Sequence, residues 1–365
     1  MKYTQISGAV SKFAPYFRTF TKIRYFLGRL TFLALGTLME TNKSIKELAK
    51  IGGKYTWKVP LELEENLSTT AREKSVAKVI SQGSVRAGAI LQGAVLPEVL
   101  QDLIKISQKS FNTPEFTGVG IELGAGLGLL GIVVSKSPQV EALVSLEICK
   151  TFVTDAIPAA AKELLGTDSK KIIPTYGSFL DYEISDNEID FAVQIESLHH
   201  SYDLQKAADE LFRILKPGGF LFSLDRSHPD SVSEETLKGL LDHEYPKSWL
   251  EHHGYPTQKR MSRRENGEHE IRDSEWKSTF EKSGFVTETF EFIAPRLKFW
   301  NVKKRIACLF LKWTPKGKQI KIPVRSGVTR SYFLQKLGIR NSYFGSVAVG
   351  LQPRWKTVMV FRKPV

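Results

Sequence analysis

The segment Glu122-Leu123-Gly124-Ala125-Gly126-Leu127-Gly128 decides the fold. It follows the apolar run 118–123 and opens a helical stretch, so the glycines mark a tight turn between a strand and a helix. Glycine permits backbone conformations that a Cβ would obstruct, and it lets a ligand approach the main chain. The free N–H groups at the start of the next helix favour a polar or anionic ligand. The segment therefore predicts a ligand-binding turn.

Short apolar runs that alternate with helical stretches surround this turn. They recur about every 20 to 30 residues, as the strands of parallel βαβ units do. The sequence therefore predicts a doubly wound α/β fold with a mostly parallel, Rossmann-like sheet, whose ligands bind beyond the carboxyl ends of the strands. The candidate strands are residues 118–123, 142–148, 171–175, 189–195 and 219–224, followed by a helix over 274–283 and strands over 285–293 and 357–361.

The remaining sequence suggests a division into domains. Residues 1–110 are predicted to form a basic, partly amphipathic helical N-terminal region, with helical runs over about 70–80 and 87–106, and residues 111–365 the α/β domain. We expect two insertions in that domain, a polar one at about 226–273 after the fifth strand and a basic, aromatic one at about 295–356 after the sixth. The second is too long for a simple hairpin loop and is interpreted as a lid or docking element.

Charge is distributed unevenly along the 365 residues, whose net charge is +13. Residues 1–60 carry +9 and residues 295–365 carry +17, whereas the central residues 61–294 carry −13. Basic ends favour an anionic partner, such as a phosphate-bearing substrate, an acidic lipid surface or nucleic acid. Two solvated basic surfaces are the simpler alternative.

The N-terminal sequence and the two cysteines indicate where in the cell the protein is located. The apolar run 25–39 is too short for a membrane-spanning helix, and Arg29 interrupts it. A helix at a membrane surface is the preferred interpretation, and a packed helix pair or a targeting segment are the alternatives. Cys149 and Cys308 fit no zinc motif, so we expect reduced thiols, no bound metal and a cytoplasmic protein with peripheral membrane contact.

The glycine pattern is compatible with two cofactors. Gly126, Gly128 and Gly131 match the G-x-G-x-x-G fingerprint of dinucleotide sites. Glu147, at the end of the second strand, could accept hydrogen bonds from the ribose of either cofactor. Three other features favour a methyl donor: Glu122 two residues before the first glycine, the turn Gly177-Ser178-Phe179 after the third strand, and Leu215-Lys216-Pro217-Gly218-Gly219 before the fifth.

With these motifs, residues 116–227 resemble the class I S-adenosylmethionine-dependent methyltransferases. The resemblance implies S-adenosyl-L-methionine as the cofactor, with the glycine loop under its methionine part, the acid of the second strand at its ribose and the turn after the third strand at its adenine. Many relatives carry Asp where this chain has Ser178, and Asp181 is a poor substitute by position. The cofactor-binding residues so implied are Glu122, Gly124, Ala125, Gly126, Gly128, Glu147, Ser178 and Phe179.

The reacting end is the part of the site where the methyl group would meet its acceptor, and the candidate residues for it follow the fourth and fifth strands. Methyl transfer requires an aligned nucleophile and, where that nucleophile carries a proton, a base. His200, Asp225 and Glu196 are the catalytic candidates; His200 has a packing role as its alternative, and Glu196 could instead hold the cofactor's ammonium group. Arginine forks suit phosphate or carboxylate. The predicted substrate side comprises Arg226, His228, Arg263, Arg264 and His269, with Glu268 and Arg272 nearby.

Several functions agree with this pattern. The preferred hypothesis is methyl transfer to a small-molecule, sugar or lipid-linked acceptor that is anionic. An RNA methyltransferase is the second, in which residues 295–356 would contact phosphates and bases. An NAD-dependent oxidoreductase and a non-catalytic binding scaffold are the others.

Overall fold

The computed structural model describes residues 44–60, 83–92, 94–258, 260–295, 328–330 and 356–365, together with the single residues 63, 69, 71, 73 and 76. The helices are α1 (Ile45–Ile51), α2 (Val85–Gln92), α3 (Pro97–Phe111), α4 (Leu129–Val134), α5 (Ile157–Leu165), α6 (Leu204–Ile214), α7 (Glu234–Leu241), α8 (Lys247–His252) and α9 (Asp273–Lys282). The strands are β1 (Tyr55–Thr56), β2 (Gly118–Leu123), β3 (Val140–Glu147), β4 (Ile172–Tyr176), β5 (Ile189–Ile195), β6 (Leu215–Asp225), β7 (Val286–Pro295), β8 (Val328–Arg330) and β9 (Lys356–Arg362).

The described strands form one sheet in the order β1-β4-β3-β2-β5-β6-β9-β7-β8. Neighbours from β1 to β6 pair in parallel, whereas β9 runs antiparallel to both β6 and β7. The chain runs outward from β2 through β3 to β4 and then returns to β5 on the other side of β2. The order therefore reverses between β2 and β5, the position at which open α/β sheets bind ligands.

Helices cover both faces of the sheet. Successive strand residues point to opposite faces, so Val358 and Val360 enter one hydrophobic cluster while Met359 and Phe361 enter the other. The first cluster includes residues of α3, α4 and α5, and the second includes residues of α1, α6 and α9. This arrangement confirms the predicted doubly wound, mostly parallel α/β fold.

Local sequence explains where several helices begin. The Asp203 side chain accepts from the N–H of Lys206, 2.9 Å away, at the start of α6, and Ser233 caps α7 in the same way.

Trp276 and Phe280 of α9 are both fully buried, as their four-residue spacing predicts, and Phe280 stacks on Phe361 of β9.

Some elements differ from the sequence predictions. The single helical run predicted for 87–106 is wrong: it is two helices, because Pro97 begins a new one, α3. The segment 215–219 is part of β6 rather than a loop before it. Leu215 pairs with Ile189 and Phe220 with Phe191, and the residues between form a bulge in which Gly218 has φ +79°.

Two elements upstream of the predicted boundary at residue 110 join the sheet domain. β1 pairs with β4 at the edge of the sheet, and Ile45 and Ala49 of α1 enter the second hydrophobic cluster. All the elements above belong to one unit, Ile45–Val365. The predicted N-terminal helix before residue 44 and most of the predicted insertion 295–356 lie outside the described residues, so the domain boundaries stay predictions.

Candidate functional site

The glycine loop joins β2 to α4 at the point where the strand order reverses. Gly124, Gly126 and Gly128 have φ values of +61°, +55° and +72°, so each occupies the left-handed region that favours glycine. The loop is closed by the N–H of Gly128, which donates to the carbonyl of Ala125 over 2.7 Å.

The three glycines have different surroundings. A Cβ on Gly124 would lie 2.5 Å from the Cβ of Ser197, so this glycine allows the loop to pack against the segment after β5. A Cβ on Gly126 would meet no atom within 4 Å. The outer side of Gly126 thus faces open space, as a backbone that cradles a ligand must.

Glu147, the last residue of β3, is tied to this loop. Its Oε2 accepts from the N–H of Gly126 over 2.7 Å, and its Oε1 accepts from the N–H groups of Ile148 and Cys149, both at 3.0 Å. The side chain is buried, and these backbone donors hold an anionic carboxylate in one orientation. Glu147 is therefore positioned at the carboxyl end of β3 beside the loop, and its contact with a ribose stays a prediction.

Glu122 lies beneath the loop. It is fully buried, and it accepts hydrogen bonds from the backbone of Gly131 and Leu130 in α4 and from the Ser145 hydroxyl. Burial raises the pKa of Glu122 to about 8. These contacts anchor the start of the loop to α4 and β3, and the cofactor contact implied for Glu122 stays a prediction.

The turn after β4 lies on the other side of Glu147. The N–H of Gly177 donates to the Glu147 carbonyl over 3.2 Å, and the Ser178 hydroxyl accepts from the N–H of Leu180, also at 3.2 Å. Phe179 is half-buried. Asp181 is exposed and forms an isolated bridge with Ser178. The turn that is predicted to contact the adenine thus lies next to Glu147, the residue that is predicted to contact the ribose.

The segment after β5 begins with a strained residue. Glu196 has φ +50°, which is uncommon for a residue other than glycine. Its N–H donates to the carbonyl of Leu224, and the hydroxyl of Ser197 donates to the carbonyl of Leu123 over 2.7 Å. These bonds tie the end of β5 to its two neighbours, β2 and β6. The strain lies at the end of a central strand, where functional sites commonly store it.

His199, rather than His200, is the histidine paired with Asp225. Its Nδ1 lies 2.6 Å from Asp225 Oδ1, both side chains are buried, and Asp225 also accepts from Gln194 Nε2 and the N–H of Arg226. Burial acts to raise the Asp225 pKa, but the charge and hydrogen bond of His199 together with Arg226 lower it to about 2. Asp225 thus has its oxygens engaged and is poorly suited to be the general base.

His200 has a different environment. It is only partly buried, its Nδ1 lies 3.1 Å from the carbonyl oxygen of Gly267, and its ring lies beside that of His199 with centroids 4.2 Å apart. The two histidines belong to a short helical turn, Leu198–His200, that faces the polar insertion. His200 thus lies between His199 and the insertion, and its catalytic role stays a prediction.

The polar insertion folds back and forms a buried ionic cluster there. Arg226 and Arg263 both contact Glu268 and Glu270; Arg263 donates to Glu268 Oε2 over 3.1 Å. Glu270 also pairs with His228. Three of the predicted substrate-side residues are therefore together, but carboxylates of the same chain already neutralise the two arginines.

Two predicted substrate residues have other neighbours. Arg264 is 53% exposed and pairs with Asp242 over 3.2 Å on the surface of the insertion, away from the buried cluster. His269 is exposed, and its N–H and Nδ1 lie 3.1 and 2.9 Å from the carbonyl oxygen of His199. Arg263 and Arg264 are neighbours in a turn, but their side chains pair with different carboxylates.

Two polar residues of this region, Gln194 and Tyr245, were not among the predicted site residues. Gln194 lies within β5, and its amide joins Ser223 and Asp225 of the neighbouring strand. Tyr245 donates its hydroxyl to Glu268 over 2.9 Å. A glutamine in the buried part of β5 was an available signal, whereas nothing local marks Tyr245.

The described residues contain neither a metal-binding cluster nor a helix that could span a membrane. No group of three His, Cys, Asp or Glu side chains there is placed to hold a metal ion. None of the helices in that same part of the chain has the length and apolar composition needed to cross a bilayer. Cys149 is buried with a free thiol, and Cys308 lies outside the described residues.

Residues 121–223 match the family model described as a methyltransferase domain. The match runs from β2 into β6 and so includes the glycine loop, Glu147, the turn after β4 and the end of β5. Over these residues the chain is therefore similar to methyltransferase domains, in agreement with the resemblance to the class I S-adenosylmethionine-dependent methyltransferases.

Several solved structures are similar to this chain at low identity. A Bacillus halodurans C-125 protein provisionally described as a methyltransferase is 18% identical over 72% of this chain and 99% of its own, with a TM-score of 0.44. The YcgJ protein of Bacillus subtilis is 16% identical over 73% and 98%, with a TM-score of 0.42. Phosphoethanolamine N-methyltransferase 2 of Haemonchus contortus, solved with S-adenosyl-L-methionine, is 15% identical over 73% and 52%, with a TM-score of 0.40. No protein of curated function matches the chain in sequence, so the assignment rests on the domain match.

Proposed function

We propose that this chain transfers a methyl group from S-adenosylmethionine to a small-molecule acceptor that carries an oxyanion, either free or as part of a sugar or a lipid. The observation that carries the proposal is the unit formed by the glycine loop and Glu147 at the point where the strand order reverses. Gly126 presents open space there, and its N–H fixes the adjacent carboxylate. These residues fit a ligand with a ribose and a polar tail.

The proposed roles of the chain's residues follow from this geometry. When bound, S-adenosylmethionine supplies a methyl group already activated on a sulfonium. Gly124, Gly126 and Gly128 allow close approach to the methionine part, and Glu147 accepts from the ribose hydroxyls. Ser178 and Phe179 flank the adenine. Glu196, which directly follows β5, is assigned to the ammonium group because its carboxylate can carry the opposite charge.

The end of β5 and the insertion form the acceptor side in this proposal. Orientation of an acceptor for in-line attack is the main contribution that a protein makes to such a transfer. The two arginines of the ionic cluster, Arg226 and Arg263, could orient a phosphate or carboxylate. His200, at the outer side of the cluster, is the candidate base for an acceptor that carries a proton.

The direction of the strands beyond β6 argues against the interpretation of the glycine loop as a dinucleotide-binding site. Dinucleotide-binding folds place a further parallel strand beyond their fifth, whereas here β9 enters antiparallel between β6 and β7. The RNA alternative depends mainly on residues 295–356, most of which lie outside the described part of the chain. Contact of the basic ends with an acidic membrane surface is a further part of the proposal, and it rests on their charge alone.

The test is a binding measurement followed by an acceptor screen. Calorimetry with S-adenosylmethionine and NAD should give micromolar affinity for the first and none for the second. A tritiated methyl donor would then be offered to phosphorylated sugars, lipid phosphates in vesicles, small carboxylates and RNA. Binding of NAD but not of S-adenosylmethionine would overturn the proposed cofactor, and transfer to RNA alone would overturn the proposed acceptor.

A further inference from the structure

We propose that the carboxylate of Glu268 occupies an oxyanion-binding site of this chain and that the acceptor's phosphate or carboxylate replaces it there. The inference rests on the proposed function and specifies how its acceptor is held. We call the site the oxyanion cradle and define it as the groups around the Glu268 carboxylate: Arg226, Arg263, the hydroxyl of Tyr245 and Nε2 of His199.

The contacts of Glu268 are those of a bound anion. Its Oε2 accepts from Arg226 and, over 3.1 Å, from Arg263, and it lies 3.9 Å from His199 Nε2. Its Oε1 accepts from Tyr245 over 2.9 Å. Two guanidinium groups and a hydroxyl on one carboxylate are the partners that a phosphate or a carboxylate ligand would take.

Glu268 and Glu270 are not equivalent in this cluster. The side chain of Glu270 is 0% exposed and pairs with His228 and Arg263, whereas that of Glu268 is 13% exposed. Glu268 thus lies on the outer side, and Glu270 is the buried structural partner. The Glu268 carboxylate is placed in the cradle by its side-chain contacts, so rotation of that side chain removes the carboxylate from the cradle.

The charge of the ionic cluster stays balanced when an acceptor's oxyanion replaces the Glu268 carboxylate. With Glu268 rotated away, Arg226 and Arg263 would face Glu270 as their remaining partner, and a buried guanidinium without a counter-charge is costly. An incoming oxyanion restores the balance, while in its absence Glu268 does so. The cradle is therefore expected to reject neutral acceptors, which cannot replace the charge of Glu268.

Inorganic phosphate and acetate are suitable probes, because the acceptor itself is unidentified. Binding would be measured at constant ionic strength, by ³¹P line broadening for phosphate and by calorimetry for both, with Glu268→Gln, Glu268→Ala, the control Glu244→Gln and the double variant Glu268→Gln/Arg263→Met. Glu244 is an exposed glutamate of the same insertion that lies 3.5 Å from Arg260, outside the cradle. S-adenosylmethionine binding would be measured on every sample.

Wild type and Glu244→Gln should bind the probes weakly, and Glu268→Gln and Glu268→Ala at least about tenfold more tightly, since the internal competitor is gone. The double variant should lose this gain. Folded Glu268 variants that bind neither probe more tightly than Glu244→Gln would overturn the proposal. If no Glu268 variant folds, wild type decides, because lack of any saturable phosphate or acetate binding contradicts the cradle. The stronger of the two probes indicates the acceptor class, and failure of wild type to bind S-adenosylmethionine would count against the proposed function alone.

Discussion

The backbone N–H of Gly126 donates to Oε2 of Glu147 over 2.7 Å, which joins the loop after β2 to the end of β3. Two motifs that lie 21 residues apart in the sequence therefore form one unit. A change in either should alter both the shape of the loop and the position of the carboxylate.

Glu147→Gln is expected to lower the affinity for S-adenosylmethionine at least about tenfold. The amide nitrogen of glutamine cannot accept from a backbone N–H, so one buried donor loses its partner, at a cost of about 1–3 kcal/mol in stability. Calorimetry and urea unfolding measure the two effects. Glu141→Gln is the control, because Glu141 is an exposed residue of β3 that pairs with Lys46. Equal affinities in the two variants would contradict the role of Glu147.

Gly126→Ala should affect binding more than folding. A Cβ there meets no protein atom, so the main folding cost is the left-handed backbone, about 1–2 kcal/mol. Gly83→Ala is the matched control, since Gly83 has φ +68° and also has no atom within 4 Å of its Cβ position. Both variants should lose similar stability, and only Gly126→Ala should lose S-adenosylmethionine affinity. Unchanged affinity in Gly126→Ala would show that no ligand approaches this glycine.

Glu122→Gln should become stabilising relative to wild type as pH rises. The pKa of Glu122 is about 8 in the folded chain, above the ordinary value of 4.5. Between those values the unfolded chain releases its proton while the folded chain retains it, so wild type loses about 1.4 kcal/mol of stability per pH unit from this group. Below pH 4.5 the loss is absent. Urea unfolding of both proteins at pH 5, 6.5 and 8 measures the difference, and a constant difference would contradict a protonated Glu122.

His199→Ala should destabilise the protein, whereas His200→Ala should not. Without His199 the fully buried carboxylate of Asp225 loses a close partner, which costs about 3 kcal/mol. His200 is only partly buried, and its ring contacts the Gly267 carbonyl at the outer side of the cluster. Thermal melting of the two variants side by side is the measurement. A larger loss in His200→Ala would reverse the assignment of the two histidines.

The sequence was informative wherever short-range rules determine the structure. The strands 118–123 and 189–195 were located to the residue, because glycine turns and polar residues mark their ends. Edge strands such as β1, with two residues, are too short to leave a periodic pattern. The position of Glu147 followed from its place at the end of a buried strand.

The reacting end was harder to predict, because long-range contacts determine it. His199 and His200 are neighbours in sequence, and the geometry of the turn Leu198–His200 decides which ring meets Asp225. Arg226 and Arg263 were each predicted on the substrate side, but their pairing with the same carboxylates depends on how the insertion folds back over the sheet. The spacing of residues in the sequence does not indicate where the insertion contacts the sheet.

The position of β9 has a consequence for the order in which the chain acquires its structure. β9 inserts between β6 and β7, and its Arg362 donates to the carbonyl of Gly218, 144 residues earlier. A ribosome would therefore complete β6 long before the strand that protects its edge has been made. Pairings of such high sequence separation form slowly, and an unpaired apolar edge is prone to aggregate. Yield from recombinant expression should therefore depend on chaperone supply and on growth temperature more strongly than the stability of the finished sheet suggests.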